Sequence, residues 1–406
     1  MDSLITAAAQ ALAAGDPFGA LNRIALRDDA PAFALRGIAM AQLGDLVRAK
    51  ALLRSAARAF GPREAAARAR CVIAEAEIAL VSRDLAWPAQ ALDAASTALL
   101  AHGDLRNAAH AQYLDIRRLL LIGRLDEAEQ KLAAFDPEPL AVSSRASLEL
   151  VVAGIAMRRL KTKAARAALD RARRCAQQAR IPALMVEVDR AAQVLDTPAA
   201  RSIVRGEAHL LLLDDVEALF ASKALVVDAC RHVVRDARTV IPLEGRPVLF
   251  TLARLLGEAW PQDASRDVLV LKAFRARHAD ESYRARLRVE IGRLRALLRP
   301  LAGIDATTQG FVLVPRMKRE IVVLTHPEEE AHATVLAVLS DGESWSSSAL
   351  ALALGASQRT VQRALDALAA AGKVSSFGRG RVRRWMTPTV PGFPTSLLLP
   401  ASLASD

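Results

Sequence analysis

The first half of the sequence repeats a pattern of two helices joined by a tight turn. The clearest copy spans residues 37–60 and reads GIAMAQLGDLVRAKALLRSAARAF, with the turn at 43–45. Small residues at Gly37 and Ala49 let the two helices approach closely, and Ala56 leaves room for the next helix. One hairpin cannot bury its own apolar face, so copies of it must stack on one another. The pattern therefore predicts an array of helical hairpins.

The small position at Ala49 recurs at Ala91, Ala128 and Ala165, at intervals of 42, 37 and 37 residues. These hairpins resemble tetratricopeptide repeats, whose period is about 34 residues, but they are longer and mostly aliphatic where that family has Tyr and Trp. Residues 1–200 are thus expected to form a tetratricopeptide-like α-solenoid of four to five hairpins. Its concave groove could hold a protein, a peptide, a ligand or a domain of the same chain. A passive spacer or a dimerisation scaffold is the alternative.

The composition supports a folded protein of several domains. The chain has 406 residues, of which 52% are hydrophobic, 24% charged and 4% aromatic, which excludes a disordered chain and a small disulfide-stapled scaffold. Its length predicts two to three domains. Three scattered cysteines without a C-x-x-C pair favour a reducing, cytoplasmic location. We expect neither a signal peptide nor a membrane span, because the N-terminus lacks a basic region and no run reaches roughly 18 apolar residues.

Positive charge is concentrated in two short windows. The net charge is +11 and the sequence pI is about 10.2. Residues 272–299 hold nine basic against three acidic residues, and residues 355–385 hold seven against one, so each window carries +6. The rest of the chain is therefore about neutral. Localised basic charge of this size indicates a polyanionic partner.

The first basic window lies in a segment where the pattern changes from helical repeats to mixed structure. Beyond residue 198 come Val- and Ile-rich stretches typical of short antiparallel strands, then helices expected at about 247–259, 265–274 and 282–298, then an alternating hairpin, IDATTQGFVLVP. Three motifs support a family resemblance: LLGEAWPQDASRD, VEIGRLRALL and the Gly310-Phe311 pair. Because of these motifs, residues 223–315 resemble the winged helix of OmpR/PhoB-type regulators, and we predict such a DNA-binding domain at 201–318.

The chain differs from this family in two ways, and the resemblance implies a set of candidate DNA-binding residues. The wing is about two residues shorter, with Gln309 where an Arg is usual, and no phosphoacceptor domain precedes it, so phosphorelay control is not implied. On the third helix Leu287, Ile291, Leu294 and Leu298 form one apolar stripe, which leaves its arginines facing outward. A solvated arginine face is the alternative to a DNA-reading helix. The predicted DNA-binding residues here are Arg284, Arg286, Arg288, Arg293, Arg295 and Gln309.

The second basic window carries a more specific pattern. After a helix expected at about 327–339, the chain reads SSSALALALGASQRTVQRALDALAAAGKVSSFGRGRVRRW. Gly355 is expected to break a short helix, Ser357 to cap the next, and Val361 to begin its buried stripe. The motif L-x-x-x-L-G-x-S-x-R-T-V-x-R-A-L resembles the helix-turn-helix of GntR- and MarR-like winged-helix regulators. We therefore predict a second winged helix at 319–386.

That resemblance implies a recognition helix that enters the major groove and a basic wing that holds phosphates. A winged helix that binds protein is the alternative, although seven basic residues against one acidic residue weigh against it. The predicted DNA-binding residues here are Ser357, Gln358, Arg359, Thr360, Gln362 and Arg363 on the helix, with Arg379, Arg381 and Arg383 on the wing.

Catalytic patterns are missing from the sequence. It contains no phosphate loop, dinucleotide fingerprint, zinc-protease motif or nucleophile elbow. The seven histidines lack metal-ligand spacing, and the acidic group at Asp214, Asp215 and Glu217 fits a helix start. We expect no enzyme activity, no cofactor and no metal. The Pro-rich segment 387–406 is expected to be extended, with SLLLP able to dock on the repeat groove.

Together these patterns predict a mainly α protein in which a tetratricopeptide-like α-solenoid precedes two tandem winged helix-turn-helix domains. The resemblance implies a cytoplasmic, bacterial-type transcription regulator that binds double-stranded DNA, as a monomer or a homodimer, without contacting a membrane. Steep salt dependence is expected from its basic helices and wings. Two alternatives remain open: a replication initiator or other DNA-binding factor, and a repeat scaffold whose winged helices contact proteins.

Overall fold

The structure is a computed structural model that describes residues 2–85, 87–274, 276, 278–327, 332–339, 343–378, 380 and 383–387. These residues are mainly helical, with small sheets whose strands pair antiparallel except at one place. This agrees with the mainly α class expected from the sequence. Among the described residues, no helix is long and apolar enough to cross a membrane.

The chain divides into two compact units. The first comprises the residues up to Arg159, Lys163–Ala192, and the described residues from Thr334 onward. The second comprises Leu160–Thr162 and Gln193–Ala333.

The first unit opens with consecutive helices that pack as hairpins. They are α1 (Ser3–Ala13), α2 (Pro17–Ile24), α3 (Ala30–Gln42), α4 (Leu46–Ala59), α5 (Ala65–Val81), α6 (Gln90–Ala101), α7 (Leu105–Leu121), α8 (Leu125–Ala133), α9 (Val142–Arg158), α10 (Thr162–Ala179) and α11 (Pro182–Gln193).

Local chemistry sets the turns of these hairpins. Gly44 and Gly103 adopt φ of +84° and +75° between α3 and α4 and between α6 and α7, a region that glycine occupies without steric cost. Asp45 and Asp104 follow directly, and each accepts the N–H of the residue three positions on, which caps the next helix. A Gly-Asp pair therefore ends one helix and begins the next.

Small residues lie where the hairpin pattern requires close approach. A Cβ added at Gly37 would meet Leu53 Cγ at 2.8 Å, so α3 and α4 are in contact through this glycine. Ala49, Ala128 and Ala165 are completely buried. Ala91 is only partly buried, and its neighbour Ala95 fills the interior one turn later.

The first unit also contains the C-terminal elements. These are α16 (Ala333–Leu339), α17 (Ser347–Leu354), α18 (Gln358–Ala370), β10 (Ser375–Phe377) and β11 (Arg384–Met386). Strands β10 and β11 form an antiparallel hairpin, and Trp345 pairs with Trp385 through two 2.8 Å backbone hydrogen bonds. We call residues 334–387 the C-terminal module. Its buried side chains belong to the same apolar cluster as those of α5–α9.

The second unit combines a six-stranded sheet, a three-stranded sheet and helices. Its elements are β1 (Ala200–Val204), β2 (Glu207–Leu211), α12 (Leu213–Ala221), β3 (Leu225–Asp228), β4 (Val233–Arg235), β5 (Val240–Pro242), α13 (Pro247–Ala259), β6 (Ala264–Ser265), α14 (Arg266–Phe274), α15 (Glu281–Leu298), β7 (Ala302–Ala306), β8 (Gly310–Pro315) and β9 (Ile321–Thr325). The large sheet has the order β2-β1-β9-β3-β4-β5, and a small sheet has the order β6-β8-β7.

Helices α13, α14 and α15 pack into one core with these sheets. The stripe predicted on α15 is buried, with Leu294 and Leu298 completely inaccessible. A Cβ at Gly257 on α13 would lie 2.8 Å from Val323 of β9, so glycine permits close packing of this helix on the sheet.

Strand β9 extends this unit beyond the expected boundary at residue 318. It pairs antiparallel with β1 and parallel with β3. The connection before β9 is held by Arg319, which donates to Asp236 at 2.8 Å and to the Leu301 carbonyl at 2.7 Å. Residues 321–325 thus complete the sheet of the second unit.

Two other expectations have a clear outcome. Asp214 and Asp215 lie in the first turn of α12, and Asp215 accepts the N–H of Leu212, so this acidic group is a helix start. The helix expected at about 327–339 begins at Ala333 among the described residues, whereas 328–331 lie outside them.

Candidate nucleic-acid interface

A tight turn presents α18 with its N-terminal half exposed. Ser346 caps α17, and Gly355 closes that helix with φ of +60° in the left-handed region. Ser357 then caps α18 by accepting the N–H of Thr360 at 3.2 Å, and its hydroxyl lies 2.8 Å from that of Thr360. The two helices are therefore joined by only three residues, and α18 starts at a defined point.

The two faces of α18 differ sharply. Val361, Leu365 and Leu368 are buried in the apolar cluster of the first unit. Arg359 and Arg363 are exposed on the opposite side, and neither makes an ion pair or side-chain hydrogen bond to any residue that the structure describes. Two guanidinium groups on one helix face are thus free to bind an external anion or base edge.

The other predicted residues of α18 already have partners. Gln358 Nε2 donates to Ser347 Oγ at 3.2 Å, and Gln362 Nε2 donates to Asp366 Oδ1 at 3.1 Å. Both glutamines lie on the outer side of the module, where such single bonds can exchange for contacts to a ligand. The hydroxyls of Ser357 and Thr360 serve the helix cap.

A hairpin with a basic side chain follows α18. Nε and Nη2 of Arg383 donate to Ser376 Oγ at 3.2 and 3.1 Å, and its guanidinium carbon lies 4.1 Å from the centre of the Trp385 ring. Cation–π contact and hydrogen bonds hold this side chain against the hairpin. Arg379 and Arg381 lie outside the described residues.

Three predicted arginines of α15 form ion pairs, and in two of these pairs both partners are exposed. Arg284 donates to Asp267 at 3.1 Å, Arg288 to Glu281 at 2.6 Å, and Arg293 to Glu290 at 2.9 Å. Solvent-exposed pairs of this kind contribute roughly 0–1 kcal/mol each. A phosphate can therefore replace Asp267 or Glu281 at small cost, whereas the Glu290 carboxylate is only 14% exposed.

The remaining two arginines of α15 contact their own domain. The Arg286 guanidinium lies 4.6 Å from the centre of the Phe274 ring. Nε and Nη2 of Arg295 donate to the Ile304 carbonyl at 2.8 and 2.6 Å. Arg295 thus ties α15 to β7, so this structure gives it a positioning contact in addition to the DNA contact predicted for it.

The tip of the β7–β8 hairpin depends on residues that sequence reasoning missed. Arg266 donates from Nη1 and Nη2 to the carbonyls of Thr308 and Thr307, both at 2.8 Å, and its backbone N–H donates to the Gln309 carbonyl. Gln309 itself is exposed at the tip. A Cβ added at Gly310 would lie 1.8 Å from the Ala264 carbonyl oxygen. Gly310 was noticed only as a family motif, and nothing in the sequence around Arg266 marked its role.

Two cysteine thiols are shielded by the surrounding structure. Burial raises the pKa of the Cys71 thiol and of the Cys230 thiol to about 12, so neither is a nucleophile at neutral pH. Within the described part of the chain, no group of three or more His, Cys, Asp or Glu side chains is placed to hold a metal ion.

Comparison of the chain with protein-family models, with curated proteins and with solved structures finds no match. The geometry of α15, α18 and their hairpins is therefore the basis for assigning a function.

Proposed function

We propose that the chain is a sequence-specific transcription regulator that binds double-stranded DNA. In this proposal residues 1–200 form a tetratricopeptide-like α-solenoid, and two tandem winged helices follow it. The supporting observation is the pair Arg359 and Arg363, exposed and without partners among the described residues, on a helix that a three-residue turn presents beside a basic hairpin. Exposed guanidinium groups at such a helix suit bidentate contact with guanine and with phosphates.

Helix α15 supplies the second contact in this proposal. Arg284 and Arg288 pair with exposed carboxylates, and those two pairs can open when a phosphate approaches. The exposed Gln309 at the hairpin tip is placed to reach the backbone or a minor groove. Two basic helices on one chain would read one extended site. The helical repeats would sense a partner, a peptide or a ligand, or mediate oligomerisation.

The first experiment is selection from a pool of random duplex DNA at two salt concentrations, followed by sequencing of the retained fragments. The proposal predicts one recovered motif, bound with an affinity that falls steeply as salt rises. Retention without a motif would indicate a non-specific binder. If the protein retains no DNA, the scaffold alternative is favoured.

Substitution of the two free arginines then tests the contact itself. We expect R359A/R363A to weaken binding to the selected motif by about 1–3 kcal/mol for each lost base contact, that is, roughly 5- to 150-fold. The matched control is R48A/R106A, which removes the same charge from exposed first-turn positions of α4 and α7. If both double variants bind equally well, α18 is not the interface. Genome-wide occupancy at promoters, in contrast to one origin-like cluster, separates a regulator from a replication initiator.

A further inference from the structure

We infer that the groove of the helical half, α1–α11, binds the chain's own C-terminal module. The packing of α5–α9 then controls the stability of α18. The inference rests on the proposed function for its consequence at DNA, but its structural part can be tested without DNA. It names the partner of the repeat surface as residues 334–387 of the same chain.

One apolar core joins the two segments. Buried side chains of α5, α7 and α9 and those of α17, α18 and β11 form a single connected cluster. Trp345 and Trp385, the two largest side chains of the module, are each only 1% exposed. Burial of two large aromatic side chains removes much apolar surface from water, so part of the module's stability comes from this shared core.

Two separate parts of the helical half reach the module. The Arg83 guanidinium, after α5, lies 5.3 Å from the centre of the Trp345 ring. A Cβ added at Gly123, in the turn between α7 and α8, would meet the Ala353 carbonyl oxygen at 3.7 Å. This second contact is at the end of α17, directly before the turn into α18.

Charge adds an electrostatic interaction between α7 and the module. Burial opposes the charged form of Arg117 on α7, but the groups around it, Tyr113 first and Glu343 of the module among them, raise its pKa. Arg117 also donates to the Tyr113 hydroxyl at 3.5 Å. Helix α7 thus shares the apolar cluster with the module and also interacts electrostatically with Glu343.

The size of the module explains why such support matters. It has about 55 residues, and a chain of that length buries only about 60% of its unfolded surface when it folds alone. Its hairpin strands have three residues each. A surface that adds buried area to this small core therefore shifts the folding equilibrium of α17 and α18.

Reciprocal linkage follows from a shared core. Any ligand or partner that rearranges α5–α9 must change the stability of the module, and DNA held by α18 must in turn stabilise α5–α9. The helical half would then act on DNA binding through packing, without covering Arg359 or Arg363.

The test is a double-mutant cycle on the full chain, read by hydrogen–deuterium exchange. R83A removes the guanidinium from the Trp345 ring, and W345F keeps an aromatic ring at the receiving position. We expect R83A to accelerate exchange in α17 and α18 by about 2- to 10-fold, the range of a buried cation–π contact. W345F should accelerate exchange in α5 and α7. The acceleration in the double variant should be smaller than the product of the accelerations in the two single variants. R48A is the charge control, expected to change neither segment.

Each outcome decides the inference. Acceleration by R83A that stays within α5 and α6, or strictly multiplicative effects in the double variant, would overturn it. If R83A does not fold, W345F alone decides, through exchange in α5 and α7. Binding to the selected DNA motif is the second readout: R83A should weaken it several-fold. Should R359A/R363A leave binding intact while the exchange coupling is present, the role of α18 in the proposed function fails and the shared core stands.

Discussion

The ion pair between Asp236 and Arg319 provides the sharpest test of the packing in the second unit. Asp236 lies between β4 and β5, and Arg319 lies two residues before β9, so the pair joins two parts of the large sheet. The change D236N keeps an oxygen that can accept the N–H groups of Arg238 and Thr239, now at 2.9 and 2.8 Å. It removes only the negative charge that faces Arg319.

The expected magnitude follows from the pKa of Asp236. Burial alone would raise this pKa, but hydrogen bonds from Arg319 and from two backbone N–H groups lower it from 3.8 to about 2. A shift of about 1.8 units corresponds to about 2.4 kcal/mol. The carboxylate is 19% exposed, so screening by solvent reduces the expected contribution to roughly 1–2 kcal/mol.

The sign gives a defined pH window. A carboxyl group with a lowered pKa stabilises the fold above its unfolded pKa, and this stabilisation is lost as the pH falls from about 4 through 2. At pH 7 we expect amides of β4, β5 and β9 to exchange about 5- to 30-fold faster in D236N than in the wild type. The ratio should shrink by more than half at pH 2.5, because the wild-type carboxyl group loses its advantage there.

The assay is hydrogen–deuterium exchange of both proteins at matched pH, so that intrinsic exchange rates cancel. The control is D305N, which alters an exposed carboxylate of β7 and should change stability by less than about 0.5 kcal/mol. A ratio near one at pH 7, or a ratio that stays constant down to pH 2.5, would refute the reasoning.

Two further substitutions test the hairpin and the cap. G310A must displace the Ala264 carbonyl that its Cβ would meet at 1.8 Å; we expect a loss of about 1–3 kcal/mol of stability and weaker DNA binding. In G303A, by contrast, the nearest atom is 3.9 Å away, and equal thermal midpoints for the two variants would contradict the argument. S357A removes the acceptor for the Thr360 N–H and should cost about 0.5–2 kcal/mol, seen as faster exchange in the first turn of α18. The exposed Ser375 provides the control S375A, and if S357A exchanges no faster than S375A, the cap has no such role.

Local rules predicted much of the secondary structure. Gly44 with Asp45, and Gly355 with Ser357, end one helix and begin the next through φ preference and a side-chain acceptor, which act over a few residues only. The stripe from Leu287 to Leu298 predicted the buried face of α15 because helical periodicity is a property of the sequence itself.

Long-range contacts were beyond such rules. An Ile- and Val-rich run at 321–325 is compatible with any sheet, and only folding placed it between β1 and β3. The predicted site shows the same limit: the sequence marks Arg295 and Arg359 alike as exposed arginines. Tertiary packing places the Ile304 carbonyl against Arg295. Arg359 stays exposed, without a partner among the described residues.

The sequence by itself therefore determined where helices begin and end, which faces are apolar and where the positive charge is concentrated. Those properties depend on neighbours within about one or two helical turns. Only the tertiary structure decided that Trp345 shares a core with α5–α9 and that Arg319 holds Asp236. Such contacts join residues tens to hundreds of positions apart, and they form only where burial of both partners offsets the entropy of ordering the chain between them.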